Sequence, residues 1–479
     1  MGDDIKPQEF AEAFRRVSEW AASEYAEGRS PFKGRLTEHF GEDPATYPVT
    51  GEGLATYDLP NLQLALDAYL EADGREHTLI GFGGPVGYAE MSLSGLVHDI
   101  GFGLAIGPVR RVMVELERGR SVTCVTTGLY LITEGNRRLA ALVMQGRHGF
   151  DEAGLRVEVI APDQEDGERF LAEIRALMHE HNVFRGKVLA LKAGDEMMGR
   201  GMAVEFPPVE PVSRDQIVLP EGVLDVIELH TVEFARHADT LRVAGRHLRR
   251  GLLLHGPPGT GKTLSTSYLI SRLEGRTVVI LTGAALGLVA DACAIARSLQ
   301  PAMVILEDVD LVAQERTAMG FGATSLLFRL LNEMDGIGED ADVIFVMTTN
   351  RADLLEPALA ARPGRVDQAV AFPLPDSGSR SRLLDLFGRG LDVALADRDS
   401  IVTATEGVSP AFLRELVRKA ALQAARAGSP RVADVHFREA LDLLERGGPI
   451  TRSMLGADGG ALEKLDPEYG WDADDVEIE

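Results

Sequence analysis

Between residues 212 and 375, short apolar runs alternate with segments of helical spacing. Five runs stand out: Gly251–Leu254, Thr277–Leu281, Met303–Leu306, Val343–Met347 and Gln368–Phe372. Apolar strands alternating with helices predict a parallel sheet with helices on both faces. Residues 1 to about 185 are patterned differently. Glu9 to Ala26 has helical spacing, and Ser121 to Thr133 reads as a strand before a turn at Glu134-Gly135-Asn136. Leu155 to Ile160 reads as another strand. Asp166 to His181 reads as an amphipathic helix with Phe170, Leu171, Ile174, Leu177 and Met178 on one face. This is an α+β domain whose spacing assigns no chemistry.

The proline-bearing stretch Phe206 to Pro211 reads as a linker. Residues 376–446 read as helices only. The best marked begins at Ser409, an N-cap, with Pro410 at its first position, and runs to about Arg426 before Gly428. Phe412, Leu413, Leu416, Val417 and Ala420 form its apolar face. Residues 447–479 hold nine acidic and two basic residues, the composition of a mostly disordered acidic tail. The expected domains are therefore 1–207, 208–375 and 376–446, followed by the tail.

Composition narrows the function. Apolar residues make up 45% and charged residues 26% of the 479, the balance of a soluble globular chain of about three domains. A net charge of −25 disfavours a general binder of nucleic acid or of anionic membrane surfaces. Cys124 and Cys293 are too few for a disulfide framework or a multi-thiolate metal site, and they fit a reducing compartment. The longest uncharged apolar-rich run, Thr277 to Ala290, falls short of the ~20 residues of a membrane-spanning helix. The chain opens Met1-Gly2-Asp3-Asp4, acidic and without a secretory apolar region, so a cytoplasmic location without membrane insertion is expected.

One run carries specific chemistry. Gly256-Pro257-Pro258-Gly259-Thr260-Gly261-Lys262-Thr263 fits G-x-x-x-x-G-K-[ST] and directly follows a strand. Its glycines let backbone N–H groups converge on phosphate oxygens, and the helix that starts near Lys262 turns its positive dipole end towards them. Lys262 suits β- and γ-phosphates, and the Thr263 hydroxyl suits Mg²⁺. The run Met303–Leu306 ends in Glu307-Asp308, with Asp310 just beyond. At the carboxyl end of a buried parallel strand these acids stand beside the phosphate loop. One suits the metal and the next suits the attacking water. The run Val343–Met347 ends in Thr348-Thr349-Asn350, whose amide suits the same water. Arg362 and Arg365, in Ala361-Arg362-Pro363-Gly364-Arg365-Val366-Asp367, are shaped for γ-phosphate contact.

As an ordered set these motifs resemble the AAA family of ATPases. The resemblance adds Leu330-Leu331-Asn332-Glu333-Met334-Asp335-Gly336 and the lid-like Glu406-Gly407-Val408-Ser409-Pro410-Ala411, and it covers about 212–446. It implies an α/β fold, a doubly wound parallel sheet with a small helical lid. It also implies ATP and Mg²⁺ as cofactors and a homo-oligomeric, usually hexameric ring with ATP between subunits. Carried over by position, residues 256–263 with Leu264 and Ala411 bind nucleotide, and Thr263 and Glu307 hold the metal. Asp308 and Asn350 serve the water, Arg362 and Arg365 act on the neighbour's ATP, and Leu330 to Gly336 signals between subunits.

Two departures accompany the resemblance. The family usually has Asp then Glu where this chain has Glu307 then Asp308, an order similar to a branch that includes a mitochondrial inner-membrane protein translocase. The segment Gly283 to Val289 lacks the pore aromatic of family unfoldases, and Met319-Gly320-Phe321-Gly322 is a candidate second loop. The expectation is an ATP-hydrolysing machine that remodels an unknown protein substrate or adaptor and binds no nucleic acid. The alternative is an ATP-gated assembly scaffold with little or no turnover. In the N-terminal domain, Glu134 to Ala141 resembles a short phosphate-contacting signature of ParB-like and sulfiredoxin-like domains, but a hairpin with a basic turn is the preferred reading.

Overall fold

The computed structural model describes residues 31–84, 91–98, 104–146, 154–193, 202–310, 332–334, 336, 338, 341–353 and 366–446. The expected helix Glu9 to Ala26, the loop Met319 to Gly322, Leu330, Leu331 and Asp335, the run Ala361 to Arg365 and the acidic tail lie outside them. The chain divides into two compact units: Met1–Val183 with Lys192–Glu205, and Phe184–Leu191 with Phe206–Glu479. Among the described residues no helix is long and apolar enough to cross a membrane.

The first unit is built on an antiparallel sheet. Its strands are β1 (Val49–Leu54), β2 (Arg75–Gly83), β3 (Ala105–Gly107), β4 (Arg110–Glu115), β5 (Ser121–Glu134), β6 (Arg137–Gly146) and β7 (Gly154–Ile160). They run in the order β1-β7-β6-β5-β2-β3, with β4 beside the first half of β5. Helices α1 (Pro31–Phe40) and α3 (Leu93–Val97) cover one face, while α2 (Leu59–Glu71) and α4 (Gln164–Glu180) cover the other.

That double cover explains the apolar strands. Along β5, Tyr130 and Ile132 join Tyr69 of α2 and Phe170 of α4, whereas Leu129 and Leu131 join Phe32 and Leu36 of α1. Successive side chains point to opposite faces, so a strand buried on both sides loses its polar alternation. Leu142 of β6 is fully buried, and its truncation to alanine costs about 2–5 kcal/mol.

β5 and β6 form the expected hairpin, with Gly135 at φ +59° in the turn. Both turn arginines are engaged within the unit. Arg137 pairs with Glu134 and Asp166 at 3.7 and 3.8 Å, and Arg138 donates to the carbonyl of His39 at 2.8 Å.

The second unit has a parallel sheet of β10 (Arg250–His255), β11 (Thr277–Thr282), β12 (Ala302–Glu307), β13 (Val343–Thr349) and β14 (Gln368–Ala371). Their order is β14-β10-β13-β12-β11, and β8 (Val188–Lys192) extends the sheet beyond β11. The short strand β9 (Ala203–Glu205) follows β8 in the chain. Every residue of β13 is buried, as a central strand covered on both faces requires. Helices α5 (Val223–Glu228), α6 (Lys262–Arg272) and α7 (Val289–Ser298) belong to this unit. Between β11 and α7, the segment Gly283–Leu288 is a 3₁₀ turn.

The lid packs α8 (Ser377–Phe387), α9 (Arg398–Ala404), α10 (Pro410–Arg426) and α11 (Asp434–Arg446) around Leu384, Leu413, Leu416 and Phe437. The expectation of helices only is corrected here. β15 (Asp392–Ala394) and β16 (Arg431–Ala433) pair in parallel, tied by Arg431 to Asp392 at 2.9 Å. Three-residue strands leave too short a period to register in the sequence.

Candidate nucleotide site

β10 ends at His255, and the chain turns through Gly256 to Gly261 into α6. Three glycines hold positive φ: Gly256 at +147°, Gly259 at +74° and Gly261 at +103°. Space forbids side chains as strongly as dihedral angle does. A Cβ on Gly256 would stand 2.3 Å from the carbonyl oxygen of Phe372, and one on Gly259 would stand 2.8 Å from the Cβ of Ala411. Thr260 Oγ1 donates to the carbonyl of Pro257 at 2.8 Å and tightens the loop.

Lys262 folds its ammonium onto that loop, donating to the carbonyls of Gly256 and Pro257 at 2.7 and 2.9 Å. Burial pulls its pKa down to about 8, against the opposing attraction of Asp308 and Asp310. A lysine in that state gains from the arrival of an anion.

The acids at the end of β12 face different partners. Glu307 accepts from Thr266 Oγ1 at 3.1 Å, and the Thr263 side chain also bonds to it. Burial raises the pKa of Glu307 despite these hydrogen bonds, and the charge of Asp308 adds to the rise. Asp308 stands on the other side. Its backbone is left-handed at φ +50°, its N–H donates to Thr348 Oγ1 at 3.0 Å, and its Oδ1 accepts from Asn350 Nδ2 at 3.2 Å. Val309 is 7% exposed and Asp310 is 3% exposed. Asp310 accepts from Thr349 Oγ1 at 2.8 Å and from the Asn350 backbone at 3.0 Å, which anchors the end of β13 to the end of β12.

The lid closes over these groups. Ser409 caps α10 by accepting from the Phe412 amide at 3.2 Å, and the Ala411 amide donates to the Gly259 carbonyl at 3.2 Å. A cavity of about 550 Å³ lies between loop and lid, bounded by Pro258, Gly259, Lys262, Thr263, Leu264, Asp308, Asn350 and Ala411. Glu307 sits behind Thr263 rather than in the wall. Arg362 and Arg365 lie outside the described residues.

Sequence reasoning missed Phe387 and Arg414, which also line the cavity. Phe387 is the last residue of α8. Arg414 lies four residues past Pro410, one turn along the same helix face, so helical spacing from the recognised cap would have found it. The anchoring role of Asp310 needed the structure, because its partner is a backbone amide 40 residues away.

A glycine loop between strand and helix, with carboxylates at the end of a nearby parallel strand, defines a nucleotide-binding site of the P-loop kind. Residues 252–374 match the model of one such family, the "ATPase family associated with various cellular activities (AAA)". The second unit therefore carries an AAA ATPase domain, and the first unit lies outside the matched residues.

Among characterised relatives, the chain is similar to the ATP-dependent zinc metalloprotease FtsH 4 of Sphaerobacter thermophilus. The two are 37% identical over 238 residues, which is 47% of this chain and 36% of that protein. FtsH of Acidothermus cellulolyticus is 34% identical over 264 residues, covering 52% of this chain and 40% of its own length. FtsH 2 of Symbiobacterium thermophilum is 33% identical over 280 residues, covering 55% and 47%. The chain thus spans less than half the length of these relatives.

Proposed function

We propose that this protein hydrolyses ATP with Mg²⁺ in a ring of like chains and uses the energy to remodel a protein partner selected by its first unit. The reading rests above all on Asp308, held 3.2 Å from Asn350 at the mouth of the Lys262 loop, while Glu307 turns to Thr266 and Thr263. The two acids are thereby divided between a metal side and a water side.

The metal side offers a hydroxyl and a carboxylate, the oxygen donors a hard cation prefers. A carboxyl whose pKa burial has raised gains from a nearby positive charge. Thr263 and Glu307 would hold Mg²⁺, which neutralises charge on the β- and γ-phosphate oxygens when bound. Loop amides from Gly259 to Thr263 seat the phosphates, and Lys262 exchanges its loop carbonyls for phosphate oxygens. Leu264, Ala411 and Phe387 supply an apolar surface to the base. Asn350 orients a water whose oxygen attacks the γ-phosphorus, and Asp308 accepts the released proton. The bond to the β-phosphate oxygen breaks, and ADP leaves with the electron pair. Arg362 and Arg365 would reach the ATP of a neighbouring subunit.

One observation favours an assembly scaffold that turns over slowly. Asp308 is a methylene shorter than glutamate, and its left-handed backbone fixes where its carboxylate can reach. The relatives' names carry zinc proteolysis, but these 479 residues contain no His-Glu-x-x-His run. Among the described residues, no group of three or more His, Cys, Asp or Glu could hold a metal. Zinc proteolysis is therefore not part of this proposal.

The test is ATP turnover per subunit against protein concentration, with Lys262→Ala as the blank. Specific activity that rises with concentration and falls on Arg365→Ala supports sites completed between subunits. Turnover equal to the blank while nucleotide stays bound supports the scaffold.

A further inference from the structure

The first unit holds a cavity of about 510 Å³, remote in sequence from the phosphate loop. One wall is β2 itself, from Glu76 to Gly81 without a break, and the opposite wall is α1 through Arg35, Glu38 and His39. A cavity above one face of a strand would touch alternate residues. This one touches six in succession, and also Leu131 and Thr133 of β5, so it opens over the α1 face and reaches the strand's edge.

That edge is open. β2 pairs with β5 along Arg75–Ile80 on one side, but on the other only Gly81–Gly83 pair, with β3. Among the described residues, the outer edge of Glu76–Ile80 has no neighbouring strand. Along such an antiparallel edge every second residue turns both its N–H and its C=O outward. Gly81 closes the end of the groove, because the chain crosses there so tightly that a Cβ would meet the Pro108 backbone at 2.3 Å.

An unpaired edge walled by a helix is a template for one more strand. Its side chains state what that strand should carry. Ile80, Leu131 and the half-exposed Ile106 give apolar contact. Arg35 pairs with Glu38 at 3.3 Å, which leaves the carboxylate of the exposed Glu76 as the groove's excess charge. Burial lowers the pKa of His39, which bonds through Nε2 to the Leu139 carbonyl. The groove therefore favours a basic segment, in keeping with the chain's −25 charge.

We propose that this groove binds an extended segment of a protein partner as an added strand on β2, with apolar residues at alternate positions and lysine or arginine between them. The proposal does not depend on the ATP chemistry above.

The probe is an array of end-capped octapeptides in which valine, isoleucine or phenylalanine alternates with lysine. Glutamate-for-lysine and central-proline counterparts serve as controls, and the full chain is the bait. We expect the basic alternating peptides to bind and both control sets to fail. Glu76→Lys and Ile106→Lys, both exposed positions, should each weaken the best binder about tenfold. Hydrogen exchange should show the outward-facing amides among Glu76–Ile80, the alternate ones not bonded to β5, slowed only when that peptide is present. An array without binders, or a binder that leaves those amides unprotected, overturns the proposal. So do outward-facing amides already protected in the free protein, which would mean that the edge is covered by the chain itself. Protection that grows with protein concentration would assign the edge to a second copy instead.

Discussion

Gly259 and Ala411 lie in contact, the Ala411 amide donating to the Gly259 carbonyl at 3.2 Å. The phosphate loop and the first turn of the lid helix α10 are thus one packed surface, and whatever moves the loop moves the lid. Gly259→Ala should break this contact, because its Cβ would approach that of Ala411 to 2.8 Å at a φ of +74°. Loss of ATP and ADP binding is expected, with a stability loss of about 1–3 kcal/mol from strain. Equilibrium dialysis and thermal unfolding check both.

Lys262 gives a dependence on pH. Folding lowers its pKa from 10.5 to about 8, so the folded chain resists its charge. The penalty is full below about pH 8 and is relieved as pH rises towards 10.5, where the unfolded chain also loses the proton. Lys262→Met should therefore stabilise the nucleotide-free protein at pH 7 by on the order of 2 kcal/mol, with the gap narrowing above pH 8. Bound phosphate restores the charge, so ADP binding at pH 9 should take up a proton. Calorimetry in two buffers of different ionisation enthalpy measures that uptake directly.

The acids should separate by kinetics. Asp308→Asn is expected to bind ATP normally and to lose about 10²–10⁴-fold in turnover. Glu307→Gln should instead raise the Mg²⁺ concentration needed for half-maximal rate. Asn tolerates left-handed backbone, so Asp308→Asn should unfold within about 0.5 kcal/mol of the parent, while Asp308→Val should cost about 1–2 kcal/mol. Denaturant titration of the two variants checks the backbone argument without an assay of activity.

Arg414 is exposed, lines the cavity and has no hydrogen-bond or ion-pair partner among the described residues. Arg414→Ala should weaken nucleotide affinity about 5–20-fold, the effect of one charge-assisted contact, and leave the melting temperature unchanged. Fluorescent nucleotide binding measures it.

Far from the site, Arg276 and Asp342 form a bidentate pair at 2.7 and 3.0 Å with both side chains buried. Asp342→Ala leaves a buried charge without a partner and should cost about 3–5 kcal/mol. Arg276→Met with Asp342→Leu should cost less than the single change, as a double-mutant cycle on purified protein would show.

The second unit is legible in the sequence because a central parallel strand writes its burial as an unbroken apolar run. The run Met303–Leu306 lies within Ala302–Glu307, and Val343–Met347 lies within Val343–Thr349. The lid helix was equally plain, since Ser409 and Pro410 mark its start chemically as well as by pattern. The first unit was read only in part. β5 and β7 read as apolar runs and α4 as a helical period, but β2 is exposed at Glu76–Thr78 and reads Arg-Glu-His-Thr at its start. At the site, spacing located the loop and the acids. The resemblance already gives Glu307 to the metal and Asp308 to the water; what no local pattern contains is the geometry around them, a left-handed backbone at Asp308 and hydrogen-bond partners 41 and 42 residues away.

β8 enters the ATPase sheet from the amino-terminal side of residues 206–211, so the chain passes between its two units more than once. No single cut in that stretch separates them cleanly. A fragment that begins at Phe206 would lack β8 and expose the flank of β11 as a bare edge open to aggregation. Its inactivity would then report a missing strand rather than a missing partner-recognition unit. A fair dissection of recognition from turnover has to retain Phe184–Leu191, or exchange the first unit around it.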